Sequence, residues 1–339
     1  MSRSHLFEGP LFLVGMPRSG TKLLVHILNN HSMIAIPGNE SHFIPQYLKR
    51  MPRYGDLKEP ANFRKFHADL AATNFIKRLS ANGYQLSARE WYGAVEDWSS
   101  AGIIESFYRL FAKRHNKTIW GDKTPFYMLH LPLLAEHFPD ARFIHIIRDA
   151  RDQCLSSRKV WNKNLYRSAQ RWHDYVRQCR QDGLRMPPGR YHELFYEALI
   201  DKPAETIANL CAFIGIAFEP QMIQLKKPSE NYGDAKNQAA ILKQNYQKWK
   251  NELSAKQILK IEKISGALLS DLGYSVTYHG RTEAIGMLEM LAYRGLDAIH
   301  QLHFEVKRQH SLYALLDAVK QNRFNPAASK KIGAAKDRG

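Results

Sequence analysis

Eight residues near the start of the chain, Gly15-Met16-Pro17-Arg18-Ser19-Gly20-Thr21-Lys22, bring together what an anion site needs. Glycines let consecutive backbone amides point into one concave nest, and a helix beginning near Thr21 adds partial positive charge. Arg18 and Lys22 add full charges, and Ser19 and Thr21 add hydroxyl donors. The spacing approaches the phosphate loop GxxxxGK[ST], but here Thr precedes Lys, so the hydroxyl that would hold Mg²⁺ is out of register. A second pair lies further along. Arg148 ends the apolar run that starts at Arg142, and Ser156 follows eight residues later. An arginine at a strand's carboxyl end and a serine two turns into the next helix can grip one phosphate from two sides.

The elements that must position these groups are readable from apolar patterning. Residues 11–14, 34–36, 118–120, 142–147 and 191–196 are short apolar runs, each followed by helix-like sequence. Such runs are buried parallel strands, which predicts an α/β fold of the P-loop type with a central, mostly parallel five-stranded sheet. Ligands of open sheets bind beyond the carboxyl ends of the strands, where both anion motifs fall. Residues 49–116 read as a helical insertion, with helices over 63–79 and 101–113, and residues 226–245 as a polar loop leading into a late helix. The α/β domain is placed at 1–280. Residues 281–320 form an amphipathic helical extension, with Ile285, Leu288, Leu291, Gly295, Ile299, Leu302 and Val306 at helical spacing. Residues 321–339 are a basic tail expected to be disordered. The stripe is expected to pack on the α/β core or on a second copy of itself, giving a homo-oligomer. A membrane surface ranks behind both, despite the neighbouring Lys307 and Arg308.

Composition sets outer bounds. The 339 residues are 44% apolar and 24% charged, as in ordinary soluble globular proteins. Forty-nine Lys and Arg against 32 Asp and Glu leave a charge of +17, which draws anionic partners: nucleotides, acidic or sulfated acceptors, nucleic acid or anionic lipid. Cys154, Cys179 and Cys211 form no CxxC pair, so neither a zinc site nor a disulfide framework is indicated and no metal is expected. No secretory h-region and no apolar run of about 18 residues is present, so the expected compartment is cytoplasmic.

Pro-Arg-Ser-Gly-Thr after an apolar strand resembles the 5′-phosphosulfate loop of sulfotransferases that use 3′-phosphoadenosine 5′-phosphosulfate (PAPS). It is similar above all to the tyrosylprotein and heparan-type branches and their bacterial relatives. The resemblance covers about residues 11–274 in motif order. It implies that Arg18, Ser19, Gly20, Thr21 and Lys22 bind the 5′ side of the donor and that Arg148 and Ser156 hold its 3′-phosphate. Gly121-Asp-Lys123-Thr-Pro125 resembles the segment whose lysine sits beside the transferring group. Tyr196-Glu-Ala-Leu resembles the strand end whose tyrosine approaches the cofactor, and Gln247-Lys248-Trp249 the late element whose lysine reaches the phosphates.

Sulfuryl transfer needs in-line geometry and charge stabilisation more than covalent catalysis. Cations at Arg18, Lys22 and Lys123 can neutralise a leaving phosphate without a metal. The acceptor must also lose a proton. Gly38-Asn-Glu-Ser-His-Phe-Ile resembles both branches at the position of a catalytic glutamate, which implicates Glu40 as general base. His42 is its rival, because imidazole is the commonest base and the small-molecule cytosolic sulfotransferases use histidine. Otherwise His42 lines the acceptor site. His31 reads as a cap or packing residue. Two other function classes compete: a P-loop nucleotide kinase, for which the loop lacks the Mg²⁺ hydroxyl, and a non-enzymatic polyanion binder, which would not account for the ordered strand-end motifs. Nucleic acid is not an expected partner. The acceptor, whether peptide tyrosine, saccharide, lipid or small molecule, is not readable.

Overall fold

The computed structural model describes residues 7–230, 232–233 and 235–309, with the backbone alone over 301–309. Five strands, β1 (Leu11–Gly15), β2 (Ile34–Ala35), β3 (Ile119–Lys123), β4 (Arg142–Ile147) and β5 (Tyr191–Phe195), form one sheet in the order β2-β3-β1-β4-β5. Every neighbouring pair is parallel. Leu13 sits between Lys123 and Ile144, and Ile146 pairs with Leu194. This register brings the ends of β1, β3, β4 and β5 to one edge, so the segments leaving them converge.

Both faces of the sheet are covered, which is why the strands are apolar without interruption. Phe12, Val14, Trp120 and Phe143 face the helical insertion and the helix Leu165–Gly183, in a core shared with Phe43, Phe63, Phe107 and Trp172. Leu11, Leu13, Ile144 and Ile146 face the helices Thr21–Asn29 and Pro203–Ile214. The alternation follows from the two-residue period of a strand.

Most boundaries fall within a residue of the sequence expectation, and three differences are instructive. β3 continues to Lys123, because its two polar residues are buried and partnered: Tyr108 donates to Asp122 at 2.6 Å and Lys123 to Glu40 at 3.1 Å. Tyr196 is not in β5 but opens the helix Tyr196–Asp201. The expected helix over 63–79 is two helices, Pro60–Ala71 and Asn74–Ala81, divided where the Thr73 hydroxyl caps the second by accepting from the Ile76 amide.

Behind the sheet edge lies a buried ion cluster. Arg151 donates to Asp149 at 2.7 Å and to Glu262 at 2.6 Å, with its guanidinium 3.8 Å over Trp249. Arg151, Asp149 and Glu262 are 2%, 4% and 0% exposed; the two carboxylates share one cation, and Glu262 Oε2 also accepts from the Thr277 and Tyr278 amides at 2.8 and 3.0 Å. It ties the start of helix Ala150–Trp161 to helix Ala255–Asp271.

The helix Met287–Gln309 corrects one branch of the expectation for the C-terminal stripe, packing on the α/β core. The stripe does not pack on the α/β core. Ile285 alone among its described residues packs inward, while Leu288, Leu291 and Ile299 are exposed. The charged side of the helix attaches instead: Asp297 accepts from the Asn164 amide at 2.7 Å and pairs with Arg167, and Lys260 pairs with Glu289 and donates to Tyr293 at 3.2 Å. The side chains of Leu302 and Val306 and the basic tail 321–339 lie outside the described residues. Among the described residues no helix is long and apolar enough to cross a membrane.

Candidate active site

The loop after β1 passes directly beneath Tyr196. A Cβ on Gly20 would lie 2.5 Å from the Tyr196 ring, and Gly20 has φ +95°, so glycine is required both sterically and conformationally. Arg18 takes φ +72°, uncommon for a residue with a Cβ. Neighbours hold it there: Arg148 Nη1 donates to the Arg18 carbonyl at 3.1 Å, and Gln153 Nε2 donates to the Pro17 carbonyl at 2.9 Å. Ser19 is 1% exposed, and its hydroxyl has no hydrogen-bond partner. Thr21 opens the helix, and Lys22 follows it. Burial pulls Lys22 below the ordinary lysine value; Glu230 opposes that shift, while Lys123 and Arg18 add to it.

An open cleft of about 740 Å³ lies beside the loop, lined by Arg18, Gly20, Arg148, Ser156, Tyr196 and Lys248 among others. Arg18 Nε donates to Ser156 Oγ at 3.3 Å, its Nη1 to Glu230 at 3.0 Å and its Nη2 to the Tyr232 carbonyl at 3.1 Å. Arg148 stacks 4.5 Å from the Tyr196 ring centre and donates through Nη2 to the Asn245 carbonyl at 3.1 Å, while its buried Nε is unpartnered. Trp172 donates to the Arg148 carbonyl at 3.0 Å, fixing the strand end. Tyr196 accepts from Asn245 Nδ2 at 2.9 Å, and burial raises its phenol above the ordinary value. Lys248 reaches the cleft because Asp152 accepts from the amides on either side of it, Gln247 at 2.5 Å and Trp249 at 3.1 Å.

A second corner forms where β3 ends. Lys123, 1% exposed, donates to Glu40 Oε1 at 3.1 Å, and His42 Nε2 lies 3.0 Å from Glu40 Oε2. Burial opposes ionisation of Glu40, but the His42 hydrogen bond and the Lys123 charge outweigh it and hold the carboxyl down at about 2. The loop carrying Glu40 is pinned on its far side. The Ser41 amide donates to Thr124 Oγ1 at 3.0 Å, Ser41 Oγ bonds the Tyr127 hydroxyl at 2.7 Å, and the Ile44 amide donates to that hydroxyl at 2.9 Å. His42 is half exposed, with φ +55°. His31 is away from this corner: its Nδ1 accepts from the Met33 amide at 3.0 Å, a packing role.

The structure thus brings Arg18, Ser156, Arg148, Gly20, Tyr196 and Lys248 to one cleft, and Glu40, Lys123 and His42 to one corner. Lys22 feels charges of both. Arg18 reaches Ser156, so the two anion motifs line one continuous cleft. Three participants escaped the sequence reading. Glu230 and Asn245 belong to the polar segment 226–245, which has no periodicity to single them out. Asp152 lay in plain view between Arg148 and Ser156, but its partners are backbone amides almost 100 residues away.

Several known proteins are similar to this chain. NoeE, a nodulation protein of Sinorhizobium fredii, is 24% identical over 310 residues, covering 81% of this chain and 68% of that protein. Protein-tyrosine sulfotransferase 2 of Gallus gallus is 23% identical over 225 residues, covering 64% and 54%. The chain spans only 31% of an uncharacterized Aquifex aeolicus protein with which it shares 25% identity over 265 residues. In fold, it is similar to the sulfotransferase domain of the Synechococcus PCC 7002 olefin synthase, with a TM-score of 0.55 at 20% identity over 81% of this chain and 98% of that one. The curacin-pathway sulfotransferase domain gives 0.50 at 21% identity, over 80% and 99%. Residues 10–220, more than half of the chain, match the sequence profile of the sulfotransferase family, and the chain belongs to that family.

Proposed function

We propose that the chain transfers a sulfuryl group from PAPS to an acceptor hydroxyl or amine, releasing adenosine 3′,5′-bisphosphate. The observation that carries this reading is the meeting of Arg18, Arg148 and Ser156 in one cleft, with the Glu40–Lys123 pair at the adjoining strand end. The site suits an anionic nucleotide. Ser19 Oγ and Arg148 Nε are buried polar atoms without partners, and a polar group so placed costs free energy until it is bonded. When bound, PAPS supplies an activated sulfuryl group on a phosphate leaving group.

In this reading Arg148 and Ser156 hold the 3′-phosphate, with Lys248 close by. Ser19, Gly20 and Thr21 present donors to the 5′ side, and Arg18, Lys22 and Lys123 neutralise charge there. Tyr196 closes the cleft over Gly20. Glu40 is ionised and accepts the proton of the acceptor's hydroxyl, and His42 lines the acceptor side. A carboxylate held near 2 by two partners is a weak base. Drawing Lys123 toward negative charge on the donor side removes one of those partners and raises the basicity of Glu40 in the loaded enzyme.

A transfer screen with radiolabelled PAPS across tyrosine peptides, saccharides, lipids and phenols tests this, with EDTA present in half of the reactions. Label should pass to at least one class, and chelation should leave the rate unchanged. No transfer, combined with thermal stabilisation by ATP and Mg²⁺ and none by adenosine 3′,5′-bisphosphate, would place the chain with the nucleotide kinases.

A further inference from the structure

An amphipathic helix on a globular body normally turns its apolar side inward. The helix Met287–Gln309 does the reverse. Its contacts with the body run through Glu289, Tyr293, Asp297 and His300, the last bonding the Asn162 carbonyl at 2.8 Å. At 100° per residue these four lie on one side. Met287, Leu288, Leu291 and Ile299 lie on the other and are 77%, 79%, 55% and 63% exposed, while Leu296, 48% exposed, flanks the attached side. Among the described residues only eight large apolar side chains are exposed to this degree, and five of them fall on these thirteen positions. That is a patch, not scatter, and a patch of this kind marks an interaction surface.

We propose that this face docks on an anionic lipid surface, with the helix lying in the plane of the headgroups. The apolar run spans roughly 20 Å of helix, too short to cross a bilayer and suited to lying on one. Charge selects lipid over a second copy. The chain carries +17, and residues 310–339, which follow the helix directly, hold six Lys and Arg against two Asp and Glu. An apolar face combined with an adjoining basic segment supplies the two signals that stable peripheral attachment requires. Pairing two copies through the same face would instead bring two such basic segments and two +17 bodies together. This reverses the ranking suggested by spacing alone, and it does not depend on the sulfotransferase reading. The attachment is also well placed: Asn162 directly follows the helix Ala150–Trp161 that carries Ser156, so the cleft would be held close to the surface.

The test is co-sedimentation of the full chain with phosphatidylcholine vesicles, with and without phosphatidylserine, alongside sedimentation velocity of the free protein. Wild type should bind the phosphatidylserine vesicles, less so at high salt. The triple variant Leu288→Glu/Leu291→Glu/Ile299→Glu should bind them about tenfold or more weakly, and Leu184→Glu, at an exposed leucine elsewhere, should not change binding. Thermal melting reports whether the triple variant is folded, and Leu288→Ser/Leu291→Ser serves as a milder second variant. The proposal is overturned by equal vesicle binding of wild type and folded variants, by no binding at all, or by equal binding to neutral vesicles. It is also overturned if wild type sediments as a dimer that the substitutions dissociate, since the face would then be a self-association surface.

Discussion

Replacing Glu230 by glutamine is expected to tighten binding of adenosine 3′,5′-bisphosphate by about tenfold. Glu230 accepts from Arg18 at 3.0 Å, with the two side chains only 13% and 11% exposed. Arg18 also touches Ser156, so the carboxylate bonds a cation that a bound phosphate needs. A charge-assisted hydrogen bond contributes about 1.5–3 kcal/mol, and surrendering all of it would weaken ligand binding roughly 10- to 150-fold. The lower end is expected, because Glu230 also feels Lys22 and keeps part of that attraction after Arg18 is taken. Glutamine keeps the shape and removes the charge, while Glu230→Asp keeps the charge and should stay near wild type. Isothermal titration of all three proteins with the bisphosphate measures the effect. Unchanged or weaker binding by Glu230→Gln would show that Glu230 supports the cleft instead of competing for it.

At saturating PAPS, Glu40→Gln should lose about 10² to 10⁴ in turnover with donor affinity nearly unchanged, while His42→Gln should lose less turnover and more acceptor affinity; a dead histidine variant beside an active Glu40→Gln would transfer the base role to His42. Arg148→Ala and Ser156→Ala should each cost about 1.5–3 kcal/mol in binding adenosine 3′,5′-bisphosphate and much less for adenosine 5′-phosphosulfate, so calorimetry that finds equal losses would move the 3′-phosphate elsewhere. Because the Glu40 carboxyl is depressed in the folded state to about 2, its pairing stabilises the fold above the unfolded carboxyl value near 4.3, and that contribution is lost as pH falls toward 2. The melting difference between wild type and Glu40→Gln should therefore be constant from pH 7 to about 5 and shrink below about 4, and a gap that is unchanged in acid would contradict the pairing.

The strands were legible because each is an apolar run buried on both faces, and their carboxyl ends then located Arg18 and Arg148 without any structure, whereas Lys123 was reached only through the resemblance of residues 121–125 to the family. Local order also made the Glu40 loop readable. Long-range partners were not readable. Which side of the last helix attaches depends on Asp297 meeting Arg167, 130 residues earlier, and no stripe of apolar residues encodes that meeting. The approach of Glu230 to Arg18 spans 212 residues and arises in a segment without regular structure, where spacing carries no signal.

The buried cluster of Asp149, Arg151 and Glu262 bears on how this protein can be cut and recombined. The family profile ends at residue 220, which invites treating the first two thirds as a portable catalytic module. Arg151 forbids that division. Severed from Glu262, it would keep Asp149 but lose its partner across the sheet edge, and breaking a buried pair in this way costs about 3–5 kcal/mol, a large share of a typical domain's stability. A chimera that grafts another relative's C-terminal third onto this chain must therefore bring a carboxylate to the position of Glu262 or exchange Arg151 with it. The inheritable unit is the charge cluster together with the sheet edge it supports, and it extends some forty residues beyond the end of the family profile.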